Sequence, residues 1–107
     1  MLEPPPKGFE WDPVKNQSCD ERYFFTFHDA TQIFNDDDYD FLVVADREVV
    51  SEDGRSEMRH MAIGMLRRSR LHIAVVYTMR EDRIRIITAH PAPEKLRKAF
   101  DLHNGIV

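Results

Sequence analysis

Between residues 41 and 90 the apolar positions fall into short runs and alternating segments that read as strands. The segment 71–79 carries the alternation most fully. Leu71, Ile73, Val75, Tyr77 and Met79 point one way, and His72, Ala74, Val76 and Thr78 point the other. Both sets are largely apolar, which predicts a central strand covered on its two faces. Residues 57–66 and 83–90 read as its companions. Arg67-Arg68-Ser69-Arg70 and Arg80-Glu81-Asp82 are the links, and links this short favour antiparallel neighbours. Phe41-Leu42-Val43-Val44-Ala45 is a shorter apolar run. The polar stretch 46–55, with Gly54, reads as a loop.

On either side of this block the spacing becomes helical. Trp11-Asp12-Pro13 is a helix start, because Asp12 can cap and Pro13 suits the first helical position. The helix runs to about Tyr23 on a thin apolar face of Val14, Cys19 and Tyr23. Thr26 and Asp29 have capping-box spacing and open a second short helix, in which Phe27, Ala30, Ile33 and Phe34 share a face. Pro91 and Pro93 end the sheet. Glu94 to about His103 is a final helix with Leu96, Ala99, Phe100 and His103 on one stripe, stopped by Asn104-Gly105. Residues 1–8, with Pro4-Pro5-Pro6, read as an extended tail. The expectation is a single α+β domain over 9–107: two N-terminal helices, an antiparallel sheet of about four strands with 71–79 central, and a C-terminal helix.

Composition narrows the setting. A chain of 107 residues, 42% hydrophobic and 32% charged, with seven Phe, three Tyr and one Trp, suffices for one packed domain. No apolar run reaches the ~18 residues of a membrane span, and Met1 to Lys7 has no apolar signal core. Cys19 is the one cysteine, so neither an internal disulfide nor a cysteine-rich zinc site is available. A reduced, cytoplasmic protein without a membrane partner is expected. The net charge of −4 conceals a division. Residues 1–53 hold four Lys/Arg against fourteen Asp/Glu, a balance of −10, and residues 54–107 hold eleven against five, a balance of +6. Such a division marks a nucleic-acid or acidic-partner surface, or two solvated faces that neutralise each other.

Several chemistries fail on spacing. Asp36-x-Asp38-x-Asp40 opens like a calcium loop, but Phe41 stands where glycine is required and Arg47 where the closing Glu belongs. His28, His60, His72, His90 and His103 form no helical His pair and adjoin no cysteine, so no metal site is expected. There is no nucleophile elbow and no glycine-rich phosphate loop. What remains is a basic set. Arg59, Arg83 and Arg85 lie on strands, Arg67, Arg68, Arg70 and Arg80 on turns, and Lys95, Arg97 and Lys98 on the last helix. Guanidinium forks distributed in this way suit phosphates, with Tyr77 and His90 adding stacking and proton transfer. The plainer reading lays the arginine stems over apolar neighbours with their heads in water.

The string as a whole is more specific. Phe9-Glu10-Trp11-Asp12-Pro13-x-Lys15, Thr26-Phe27-His28-Asp29-Ala30-x-x-x-Phe34-x-Asp36, Glu57-x-Arg59-His60-Met61-Ala62-Ile63-Gly64, Arg70-Leu71-x-x-x-Val75-Val76-Tyr77-Thr78 and Asp82-Arg83-Ile84-Arg85-Ile86-Ile87-Thr88-Ala89 follow one another in order. Over about residues 9–100 they resemble the BrnT family of type II toxin–antitoxin ribonucleases. The resemblance breaks at Cys19–Phe24, where the family shows Asn, basic residues and His-Gly, and at Ala89-His90-Pro91, where it shows Ala-Arg and a further basic residue. It implies a RelE-like fold, with helices on an antiparallel sheet and RNA on the other face. It also implies RNA cleavage without metal or cofactor, inhibition of translation, and neutralisation by a cognate antitoxin. That antitoxin is expected to be of ribbon-helix-helix type and to carry the contact with operator DNA. By this resemblance Glu57 or His90 moves the proton, Arg59 and Arg85 hold phosphate charge, and Lys15, Arg83, Tyr77 and Thr88 bind RNA. An endonuclease and a weakened or inactive binding module that pairs with an antitoxin-like protein are the two leading function classes. An unrelated structural α+β domain is the third.

Overall fold

A computed structural model describes residues 2–106. The first helix, α1 (Pro13–Tyr23), begins as the sequence dictates. Asp12 accepts a hydrogen bond from the Val14 N–H at 2.9 Å, and Pro13 occupies the first turn. Only Asn16 and Cys19 of α1 are buried. Asn16 is anchored through its Oδ1, which accepts the Phe27 N–H at 2.8 Å and so ties α1 to the next helix. The capping box forms: Asp29 N–H donates to Thr26 Oγ1, and Thr26 N–H to Asp29 Oδ2. The helix it opens, α2 (Phe27–Ala30), is one turn long and passes into a 3-10 turn over Thr31–Phe34. Phe27, Ala30 and Ile33 are its buried apolar residues.

The sheet has five strands and is mixed, which corrects the expected four antiparallel ones. They are β1 (Phe9–Trp11), β2 (Leu42–Val50), β3 (Ser56–Met65), β4 (His72–Arg80) and β5 (Arg83–Pro91), in the order β1-β5-β4-β3-β2. β2 to β5 form an antiparallel meander with β4 in the middle of the sheet, as predicted. β1 pairs parallel to β5 and has only three residues, too few to display an alternation. β2 also runs five residues beyond Ala45, through the first half of the expected loop. Asp46, Arg47 and Glu48 belong to an edge strand whose faces are both wet here, so their polarity hid them.

The helices divide between the two faces of the sheet, whereas all were expected on one. Trp11, Phe27, Ile33, Ala62, Val75, Tyr77 and Ile86 form the core under α1 and α2. Ile63, Met65, Ala74 and Phe100 form a second core beneath α3 (Glu94–His103). Ala62 and Ile63 are consecutive, as are Ala74 and Val75, so strand alternation sends the two cores to opposite faces. Gly64 admits Ile33 to the sheet, since a Cβ there would overlap the Ile33 side chain. α3 is latched by His72 Nε2 to Asp101 at 2.7 Å and by Asn104, which accepts the Asp40 N–H at 2.7 Å and donates to the Asp40 carbonyl at 2.9 Å. It covers the end of its face near Ile63 and Ala74. The other end of that face carries the site.

Candidate nucleic-acid interface

Strand register builds a row of side chains across the open half of the α3 face. Glu10 pairs with Arg85, Arg85 with Thr78, Thr78 with Arg59, and Arg59 with Arg47. The row crosses all five strands on one face, at about 4.8 Å per strand. One step outward lie Arg83, Arg80 and Glu57 on the same face. Five arginines thus meet two carboxylates. Glu57 bridges Arg59 and Arg80, each at 3.4 Å, and Glu10 lies 3.8 Å from Arg85 and 4.0 Å from Arg83. Arg47 has no carboxylate within 4.0 Å among the described residues. Thr78 is 1% exposed, and its hydroxyl donates to the Met58 carbonyl at 2.7 Å, so the centre of the row is firm. Arg59 and Arg85 stand on either side of it, about 10 Å apart at the backbone. They are partly shielded and carried on rigid strands, an arrangement in which guanidinium groups are able to hold an anion such as phosphate.

Of the residues expected at the site, Glu57, Arg59, Arg83 and Arg85 are brought together. Thr88 and His90 share their face of β5, but His90 lies five residues beyond Arg85, roughly 15 Å away. It lines a cleft of about 210 Å³ with Lys15, Ser18, Cys19, Arg22, Tyr23, Thr88 and Ala89. The two stretches at which the chain departs from the resemblance therefore meet at this cleft. Cys19 forms part of its floor, its thiol donating to the Ala89 carbonyl at 3.6 Å. Burial, with Asp20 and Asp29 nearby, pushes that thiol up to about 12, so it is no nucleophile at neutral pH. Tyr77 is not a stacking platform. It is 7% exposed in the core of the opposite face, edge-on to Phe34 at 5.0 Å and 5.2 Å from the His60 ring. Burial, and then Asp46, holds its hydroxyl above the usual tyrosine range. The bulge here belongs to β5, whose extra residue Ile87 lies opposite the Val76–Tyr77 step, so the alternation of 71–79 is intact and groups Tyr77 with core positions. Glu10, Arg47 and Thr78 were missed as site residues. Only the strand register aligns them with Arg59 and Arg85.

A family model described as ribonuclease toxin, BrnT, of type II toxin-antitoxin system matches residues 11–95. The chain belongs to the BrnT toxin family. No curated protein matches it. The matched span runs from the end of β1 to the start of α3 and includes every residue of the row except Glu10. As a BrnT-family toxin of a type II system, the protein has a cognate antitoxin as its partner. No described helix is long and apolar enough to cross a membrane.

Proposed function

We propose that this chain is a metal-independent RNA endonuclease that inhibits translation, with the arginine row as its phosphate-binding centre. The observation that carries the reading is the placement of Arg59 and Arg85 on either side of buried Thr78, with Glu57 3.4 Å from Arg59. The ribose 2′-oxygen attacks the adjacent phosphorus as the bond from phosphorus to the 5′-oxygen breaks. Glu57 takes the 2′-hydroxyl proton, and water reaching the open face protonates the departing 5′-oxygen. Arg59 and Arg85 hold the charge that builds on the non-bridging oxygens, where fixed cationic donors contribute most. Arg83 guides the backbone next to the row, and Thr88 and Lys15, which line the cleft farther along β5, meet only an RNA long enough to extend past it.

An antitoxin of ribbon-helix-helix type covers this face with an acidic segment that competes for Glu57 and Glu10 contacts, and operator DNA is contacted through the antitoxin alone. The distance of His90 from the row favours a second reading, a non-catalytic module that only pairs with the antitoxin. A growth test in a bacterial host separates the two. The endonuclease reading expects arrest on expression, rescue by the antitoxin, and loss of arrest in the Arg59→Ala/Arg85→Ala variant. Unimpaired growth, with no RNA cleavage even when ribosomes are supplied, contradicts it and leaves the binding module.

A further inference from the structure

We propose that the cleft between α1 and the His90 end of β5 is a second phosphate-binding subsite, which holds the RNA backbone beside the segment on the arginine row; it rests on the ribonuclease reading of that row. The cleft is built by two periodicities that meet. Lys15, Ser18 and Arg22 are spaced i, i+3 and i+7, which places them on one stripe of α1 about 10 Å long. Thr88 and His90 are alternate residues of β5 and point to one face of the sheet. All five line the same concave space.

The electrostatics differ from those of the row. There, four of the five arginines already have a carboxylate partner. Lys15 and Arg22 have none within 4.0 Å among the described residues. Asp20 and Glu21 of α1 do not line the cleft, and Glu21 accepts from Gln17 instead. The charge of the cleft is therefore open to an outside anion. His90 adds a polar edge. Its Nδ1 lies 3.0 Å from the Pro91 carbonyl, which can only accept, so Nδ1 carries a proton and Nε2 is left uncommitted. The hydroxyls of Ser18 and Thr88 supply further donors. This assembly suits a phosphate diester. It lies at the edge of the sheet, where β1 no longer covers β5. Thr88 and His90 share the face of Arg83 and Arg85, α1 packs on the opposite face, and an RNA strand leaving the row reaches the cleft by turning round that edge. A folded acidic protein would need a flatter and wider surface than this cleft provides.

The test uses the full chain and uncleavable 2′-O-methyl oligoribonucleotides of about four and about twelve nucleotides, within the range of single-strand site sizes. Affinity is measured by fluorescence anisotropy across a salt series for the parent and for Lys15→Gln/Arg22→Gln. With the longer oligomer the variant binds more weakly, and its slope of log K against log salt is shallower by about 1.4, or 0.7 for each released phosphate contact. With the shorter oligomer, which the row alone accommodates, parent and variant agree. Lys15→Arg/Arg22→Lys restores the slope, since both charges return. An unchanged slope for the longer oligomer overturns the proposal, as does an equal loss with both lengths. Arg59→Ala/Arg85→Ala reports separately on the row. If it binds both oligomers like the parent, the row reading has failed, whatever the cleft does.

Discussion

Replacing Arg85 by Ala removes one member of the central row and tests its role without dismantling the sheet. The Arg85 Nη1 is 3.8 Å from Glu10 Oε1, and both side chains are 27% exposed. A pair this exposed contributes ~0.2–1 kcal/mol to stability. Glu10 is not stranded by the change, because Arg83 remains at 4.0 Å. Some packing of the arginine stem is also lost. The total is about 1 kcal/mol, a fall of roughly 4–8 °C in Tm for a domain of this size. The rate should respond far more strongly. Losing one preorganised donor to the transition-state oxyanion costs on the order of 10²–10³ in turnover. Arg85→Lys should fall between, since it keeps the charge and loses the fork. Single-turnover RNA cleavage in EDTA and urea unfolding, on the same preparations, measure both quantities. A cleavage rate near that of the parent would refute the assignment. So would a stability loss beyond about 3 kcal/mol, which would make Arg85 a structural residue.

Asn16→Ala should cost about 1–3 kcal/mol, because it strands the buried Phe27 N–H; the loss should be smaller in Asn16→Asp, which keeps an acceptor, and urea midpoints compare the two. Gly64→Ala should destabilise by about 1–3 kcal/mol through overlap with Ile33, and Ile33→Ala in the same chain should relieve part of that loss in a double-mutant cycle. Cys19 should react with a disulfide reagent far more slowly in the native chain than in urea. Its raised value means that, above an unfolded thiol pKa of about 8.5, the folded chain holds a proton the unfolded chain has lost. Stability should therefore fall as pH rises from there toward 12, by at most about 1.4 kcal/mol per pH unit, and Cys19→Ala should flatten that decline.

Where one face of an element is dry, the chain announced it. The central position of β4, the Asp12 cap, the Thr26/Asp29 box and the span of α3 all follow from local spacing, and all are found. The polar half of β2 and the three-residue β1 were hidden for a physical reason. An edge strand wet on both faces has no alternation to reveal, and three residues cannot establish one. The site followed the same division. Arg59, Arg83 and Arg85 were visible as charges on strands, but their alignment with Glu10, Thr78 and Arg47 depends on register, a relation between distant segments. Tyr77 was chosen for its chemistry against its own alternation, and burial decided for the core. His90 is expected at the row for its imidazole and through the resemblance, whereas roughly 15 Å of strand separates it from Arg85 and places it beside Lys15 instead.

The proposed reaction is attack by the ribose 2′-hydroxyl, driven by an arginine row with one carboxylate base. Its most direct test is the end-group chemistry of RNA cut by the purified chain in EDTA, with a second substrate that carries a single 2′-deoxy nucleotide at the cut position. A 2′,3′-cyclic phosphate and a 5′-hydroxyl are expected on the first substrate, and no cut at the deoxy position of the second. A 5′-phosphate product, or cleavage that continues at the deoxy nucleotide, would contradict the proposed reaction.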